Sequence, residues 1–311
     1  MDISWHAQTI FLIRPTSFRY NPETAQTNEF QKTTATETEE LIKQQALTEF
    51  DQFAETLFSK GVNIRVFEDT EMPPKPDAVF PNNWVSFHSD GTVILYPMCA
   101  VNRRSERRMD IIETLGQEFC IEKIIDLSHF ENEGRFLEGT GSIVFDHKGK
   151  TAFACISPRT DAKLFSEISQ TLGYLPISFR ATDENRKEIY HTNVMMCIGP
   201  GFAVVCLESI KDANERTEVV ETLKKRGLEI VDISFEQMNR FAGNMLAVSG
   251  ENGKIFLVLS TNALGSFSSE QKTTLEKYCE LLPVSIPTIE THGGGGARCM
   301  MAEIFLPELN R

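Results

Sequence analysis

The chain has 311 residues, 41% of them hydrophobic and 24% charged, with a formal net charge of -13. Such a length can bury a large core in one domain or two. The excess of acid argues against nucleic acid or an anionic membrane as partner, yet leaves room for a small zwitterionic or anionic substrate held by a few arginines.

Residues 9–13 read as a buried strand. Residues 14–36 are polar, carry Pro15 and Pro22, and read as a long loop of the kind that often serves function, here a candidate lid with Asn21 or Asn28 on the substrate. Ile42, Ala46, Phe50, Phe53 and Leu57 recur at helical spacing within 37–59, Gly61 stops that helix, and 62–67 is a strand. A pattern then repeats: strands at 84–88 and 93–96 around a turn, a helix at 105–115 and a strand at 121–127. It returns at 142–145, 151–156, 161–172 and 175–179, and again at 194–198, 202–207, 213–226 and 228–233. A further copy covers 245–248, 254–259, a helix at 268–282 opened by the capping-box pair Ser268 and Gln271, and 283–286.

The unit is hairpin, helix, strand, with a period of roughly 50 residues. One more copy is split: its first strand is 300–306, and the rest is the N-terminal strand, helix and strand. Joining the chain ends removes the edges that a fan of modules would leave open. The expected fold is α/β, a closed ring of five pseudo-equivalent ββαβ modules in one domain, 1–311.

In such a ring the residues leading into each module's first strand face the axis. These are Pro81-Asn82-Asn83, Leu137 to Gly141, Tyr190 to Asn193, Ala242-Gly243-Asn244 and Ala297-Arg298-Cys299. Glu138, His191 and Cys299 then meet at one mouth as carboxylate, base and nucleophile. Cys299 follows four consecutive glycines, Gly293 to Gly296, that let backbone approach a ligand closely. The Lys-Ser/Thr of a phosphate loop is missing. Taken alone, Cys299 also reads as a small core residue. As a nucleophile it is expected to have a depressed pKa and to label faster than the other cysteines.

The seven cysteines include no Cys-x-x-Cys pair and sit mostly in apolar runs, which reads as reduced thiols in a cytoplasmic protein. His191, Cys197, Cys206, His292 and Cys299 fit no common zinc spacing, and no metal or cofactor is expected. No apolar run spans a bilayer, and Met1 to Trp5 lack the features of a signal peptide.

The chain resembles the guanidino-group-modifying superfamily, the five-bladed α/β-propeller or pentein enzymes, most closely the bacterial branch of citrulline-utilisation hydrolases. The likeness runs the full length and is carried by Asp77 to Asn83, Glu138-Gly139-Thr140-Gly141, Tyr190-His191-Thr192-Asn193 and the glycine-rich Cys299 motif. Arg103-Arg104-Ser105-Glu106 and Ile156 to Asp161 resemble the carboxylate-binding segments of dimethylarginine dimethylaminohydrolases. The resemblance implies a hydrolase of C–N bonds other than peptide bonds. Cys299 would attack the terminal guanidino or ureido carbon, His191 would move protons, and Glu138 would orient His191 or the substrate nitrogens. Asp77, Phe80, Asn83 and Asn193 would bind the substrate head, while Arg159 and one of Arg103 and Arg104, with Arg104 preferred, would hold its carboxylate. The implied partner is a citrulline- or arginine-like amino acid, with no nucleic acid and no membrane, and a homodimer is allowed.

Arginine deiminases carry aspartates where this chain has Asn83 and Asn193. A buried cation needs paired charge, whereas a neutral urea is satisfied by amides. The expectation therefore leans to citrulline, cleaved to ornithine, carbon dioxide and ammonia. Guanidine hydrolysis of the arginine deiminase or dimethylaminohydrolase kind, amidino transfer to an amine, and a non-catalytic binding pentein are the alternatives.

Overall fold

The computed structural model describes residues 5–33 and 37–309. Met1 to Ser4, read above for a signal peptide, and residues 34–36 of the long loop lie outside the described residues. Strand β1 (Thr9–Arg14) runs parallel to β2 (Asn63–Glu68), and helix α1 (Glu39–Ser59) links them. The Thr38 side chain caps the first turn of α1. The helix turns Ile42, Ala46, Phe50, Phe53 and Leu57 inward, into one cluster with Ile10 and Leu12 of β1 and with Cys299, Met300 and Met301. Burying each large side chain of that stripe stabilises the fold by roughly 1.5–3 kcal/mol, and the same packing fixes the backbone that carries Cys299.

Four further units repeat one pairing scheme. In the first, β3 (Val85–Phe87) and β4 (Thr92–Leu95) are antiparallel, and α2 (Met109–Leu115) leads to β5 (Lys123–Asp126), parallel to β4. The next has β6 (Val144–Asp146), β7 (Thr151–Cys155), α3 (Ala162–Thr171) and β8 (Leu175–Phe179). Then come β9 (Met196–Gly199), β10 (Phe202–Val205), α4 (Ala213–Lys225) and β11 (Glu229–Asp232). The last has β12 (Leu246–Ser249), β13 (Ile255–Ser260), α5 (Ser269–Glu276) and β14 (Glu280–Val284). Strand β15 (Ala302–Ile304) completes the split unit by pairing antiparallel with β1, Thr9 opposite Ile304.

Three of the sheets are three-stranded, and the fourth has six strands in the order β2-β1-β15-β3-β4-β5. It is longer because Ile304 of β15 also pairs with Phe87 of β3, which joins the split unit to its neighbour. No sheet closes on itself among the described residues.

Several expected boundaries shift. The Ser268–Gln271 capping box is present, but the helix ends at Glu276 rather than 282, and β14 takes over at Glu280. An unexpected helix, Thr261–Ser266, is capped by the Ser260 side chain. Met109 lies outward and Ile111 inward. Some first strands begin late because their leading residues coil first: Pro81–Asn83 is a 3-10 turn, and Gly139–Ser142 and Thr192–Met195 are single helical turns. No helix among the described residues is long and apolar enough to cross a membrane.

Candidate active site

The leading segments bond to one another in succession. Thr140 Oγ1 donates to Asn82 O (3.4 Å), Thr192 Oγ1 to Ser142 O (2.6 Å), Asn244 Nδ2 to Asn193 O (2.9 Å), and Arg298 N to Asn244 Oδ1 (3.1 Å). Side chains expected at one mouth thus reach it from separate units. A pocket there is lined by Asp77, Phe80, Asn83, Arg103, Arg159, Tyr190, His191 and Cys299, together with Thr24, Asn28 and Gly293 to Gly295. Its cavity volume is about 10 Å³, close to the smallest space that holds one water.

His191 Nε2 lies 2.8 Å from Glu138 Oε2. An ionised carboxylate only accepts, so Nε2 carries the hydrogen and Nδ1 keeps its lone pair. Burial works to raise the Glu138 carboxyl, but Arg159, His191 and Arg103 outweigh it and hold it at about 2. Arg159 Nη1 is 3.5 Å from Glu138, and the Cys99 backbone N–H donates to its other oxygen at 2.9 Å. Burial drives His191 down to about 4 against the pull of Glu138, so the imidazole is neutral near neutral pH. Gly141 is required here: a Cβ would collide with Asn83 Nδ2 and come within 2.7 Å of His191 Nδ1.

Cys299 is 3% exposed, and its Sγ accepts from Asn244 Nδ2 (3.3 Å) and Asn193 Nδ2 (3.5 Å). The expected depressed thiol pKa is not found. Burial pushes the thiol up, and the donors Asn244 and Asn193 and the charge of Arg298 only partly offset it. The glycine run is closely packed. Gly293 ends helix α6 (Pro287–Gly293), and Gly294 takes φ 62°, where an added Cβ would come within 2.6 Å of Asn28 Nδ2.

Asp77 is 2% exposed, and its Oδ2 accepts from Asn21 Nδ2 (2.7 Å) and Thr24 Oγ1 (3.0 Å). Its Oδ1 has no partner among the described residues, and neither has Asn193 Oδ1. Burial raises the Asp77 carboxyl against Arg103, Asn21 and Thr24. Arg103 forms a two-pronged pair with Glu106 (2.9 and 2.8 Å) and donates to Asn83 Oδ1 (2.8 Å). Burial lifts the Glu106 carboxyl to about 7 despite Arg103. Arg159 stacks over Tyr190 (4.8 Å) and donates to Thr24 O (2.7 Å) and Thr27 Oγ1 (2.9 Å).

Arg104, the preferred carboxylate ligand from sequence, is not brought to the pocket. It donates to Met98 O and pairs with Glu131 at 3.3 Å, its side chain 29% exposed. The 3-10 turn Val101–Glu106 points neighbouring side chains apart, so Arg103 goes inward instead. Glu138 and Asn193 do not line the pocket but touch His191 and Cys299. Asn244 was missed as an individual, although its position in the repeat matches Asn83 and Asn193. Asn21 reaches Asp77 rather than the pocket, while Asn28 lines it and donates to Gly294 O (3.2 Å).

The profile of the family described as N,N dimethylarginine dimethylhydrolase, eukaryotic, matches residues 14–306. The chain belongs to this family. Its members are hydrolases acting on C–N bonds other than peptide bonds. Among curated proteins no sequence match is found. The fold is that of solved pentein structures. One is the N-terminal domain of ArgZ, an arginine dihydrolase of the ornithine-ammonia cycle in cyanobacteria, solved as a cysteine-to-serine mutant bound to substrate (17% identity, TM-score 0.73, 97% of this chain and 99% of that one). Another is a cysteine-to-alanine mutant of AgrE with L-arginine (15% identity, TM-score 0.74, 97% of this chain). The chain spans 41% of that AgrE chain and 41% of full-length ArgZ. A third is a dimethylarginine dimethylaminohydrolase adduct with S-methyl-L-thiocitrulline (16% identity, TM-score 0.65, 96% of this chain and 100% of that one).

Proposed function

We propose that this family member hydrolyses a C–N bond of the terminal guanidino or ureido group of an arginine-derived amino acid through a covalent Cys299 intermediate, with citrulline as the favoured substrate. One observation carries the reading: Cys299, the Glu138-backed His191 and the half-satisfied carboxylate of Asp77 converge on one buried pocket. Cys299 Sγ attacks the ureido carbon as its proton passes to Nδ1 of His191, and His191 hands that proton to the departing amine, releasing ornithine. His191 then takes a proton from water attacking the thiocarbamate, and the carbamate formed breaks down to carbon dioxide and ammonia. Asn193 and Asn244 are neutral donors at the sulfur and suit a ureido group. Phe80 and Asn83 flank the head, and Arg159, with Arg103 rather than Arg104 beside it, takes the α-carboxylate once Thr24 and Thr27 release it.

A second reading, guanidine hydrolysis, is favoured by Asp77. A buried carboxylate with an open oxygen suits a guanidinium N–H, and the neighbours are named for arginine and methylated arginine. We further propose that the five units close as a five-bladed ring in one catalytic domain, 1–311; the succession of bonds between leading segments supports this. The seven free cysteines support a cytoplasmic site of action. Incubation with citrulline, arginine and methylated arginines, with Cys299→Ser as control, tests the reaction. Ornithine from citrulline supports the first reading, citrulline from arginine or methylarginine the second, and no turnover of any of them overturns both.

A further inference from the structure

A larger cavity lies at the far end of the hairpins whose leading segments build the pocket. Its volume is about 490 Å³, within the range of small-molecule sites. Strand β9 shows the relation: His191 and Asn193 precede its start, and the turn Gly199-Pro200-Gly201 at its other end lines the cavity. Strand β6 does the same, with Glu138 before it and Asp146 to Gly149 after it. The two lining sets share no residue.

The charge of this cavity opposes that of the protein. Lys148, Lys225, Arg226 and Arg298 line it against Asp146 and Glu303, in a chain of net charge -13. Arg298 is neutralised by Glu303 at 2.7 Å. Lys148 and Arg226 pair with no carboxylate among the described residues; Arg226 donates only to Thr151 Oγ1, at 3.2 and 2.9 Å, and its Nη1 is uncommitted. Burial holds His147 at about 3, so it adds no charge near neutral pH. The inner end is formed by Asn193, 1% exposed and with its Oδ1 unpartnered, and by Arg298. Cations that a fold leaves unpaired at a concave mouth concentrate anions there, and guanidinium suits carboxylate or phosphate oxygens.

We propose that this cavity is a second binding site, for a small organic anion whose carboxylate or phosphate sits between Lys148 and Arg226 and whose N–H or O–H reaches Asn193. The site does not rest on the substrate reading given above. It shares with the pocket only a wall, because Asn193 also donates to Cys299 Sγ.

Calorimetric titration of the whole protein with inorganic phosphate, citrate and L-glutamate tests the proposal. Saturable binding is expected for at least one probe at a Kd of about 1 mM or tighter. It should weaken by at least about tenfold in Lys148→Glu with Arg226→Glu, and should persist in Cys299→Ala. Both rim residues are exposed, so the double variant should keep the wild-type Tm and rate of substrate turnover, which shows that it folds. No binding of any probe overturns the site. So does binding that the rim variant leaves intact, or that disappears with Cys299, since the anion would then occupy the catalytic pocket.

Discussion

The two ends of the hairpins are built differently. At the leading end Asp77, Arg103, Glu106, Glu138, Arg159 and His191 are buried, paired as Arg103–Glu106 and His191–Glu138 or held by Asn21, Thr24 and Thr27, around a cavity of about 10 Å³. At the turn end a cavity of about 490 Å³ is rimmed by exposed cations. Size therefore does not locate the chemistry. Convergence of buried groups with displaced pKa values does, and the larger space has the character of a ligand site rather than a reaction site.

The contrast is broken most sharply at Cys299. Cys299→Ser should lower kcat by about a thousandfold or more, whereas Lys148→Ala and Arg226→Ala should leave kcat unchanged; steady-state assays on one substrate compare them. Comparable losses at both ends would abolish the distinction. Neighbouring arginines give a second, structural contrast. Arg103→Ala strands Glu106, whose side chain is 1% exposed, and should destabilise the protein by about 3–5 kcal/mol in urea titration. Arg104→Ala loses a part-exposed pair with Glu131 and should cost about 1 kcal/mol or less.

Acid should act through buried histidines, among them His191 at the leading end and His147 at the turn end. Burial lowers His191 from 6.5 to about 4, so the unfolded chain holds more protons between those values. Stability is thus full above 6.5 and falls as pH drops toward 4, by on the order of 3 kcal/mol from this group. Glu138, held near 2 instead of 4.5, adds a further loss as pH falls below 4.5. Urea titrations across this range should show a shallower slope for His191→Asn than for the wild type. The thiol should behave oppositely to the sequence expectation. Because burial raises Cys299 above its ordinary 9.0, its alkylation in the resting protein should be slow at neutral pH and still rising beyond pH 9. A plateau reached below that would contradict the buried-thiol description.

The repeat was legible because it is written in local signals: strand alternation, Gly stops and turn residues. It also placed Glu138, His191 and Cys299, because equal register in a repeat means equal position in space. Arg103 and Arg104 could not be separated this way, since a 3-10 turn, set by tertiary packing, decides which one turns inward. The Cys299 pKa was misread because sequence shows the neighbours that depress a thiol but not the desolvation that raises it. Asn193 was expected at the substrate head, but its contact with the sulfur, and the part Asn244 plays beside it, were hidden for a related reason: such contacts depend on the packing around an amide.

The smallest expected effect concerns the strap over the pocket. Residues 21–32 cross the mouth, where Asn28 donates to Gly294 O (3.2 Å), Gln31 Nε2 to His292 O (3.0 Å) and Lys32 N to Thr291 O (2.8 Å). The space is about 10 Å³, so admitting a substrate the size of an amino acid requires the lining to move, and lifting the strap would break these bonds. Each contributes about 0.5–1.5 kcal/mol. Gln31→Ala should therefore raise the open fraction several-fold and speed amide exchange across 21–32. It should leave kcat nearly unchanged as long as the closed form still predominates. Lys187→Ala removes only the exposed pair with Glu29 (2.7 Å) and should change exchange by less than about 1 kcal/mol. If both variants loosened the strap equally, its closure would depend on surface charge rather than on the buried amide bonds beside the glycine run.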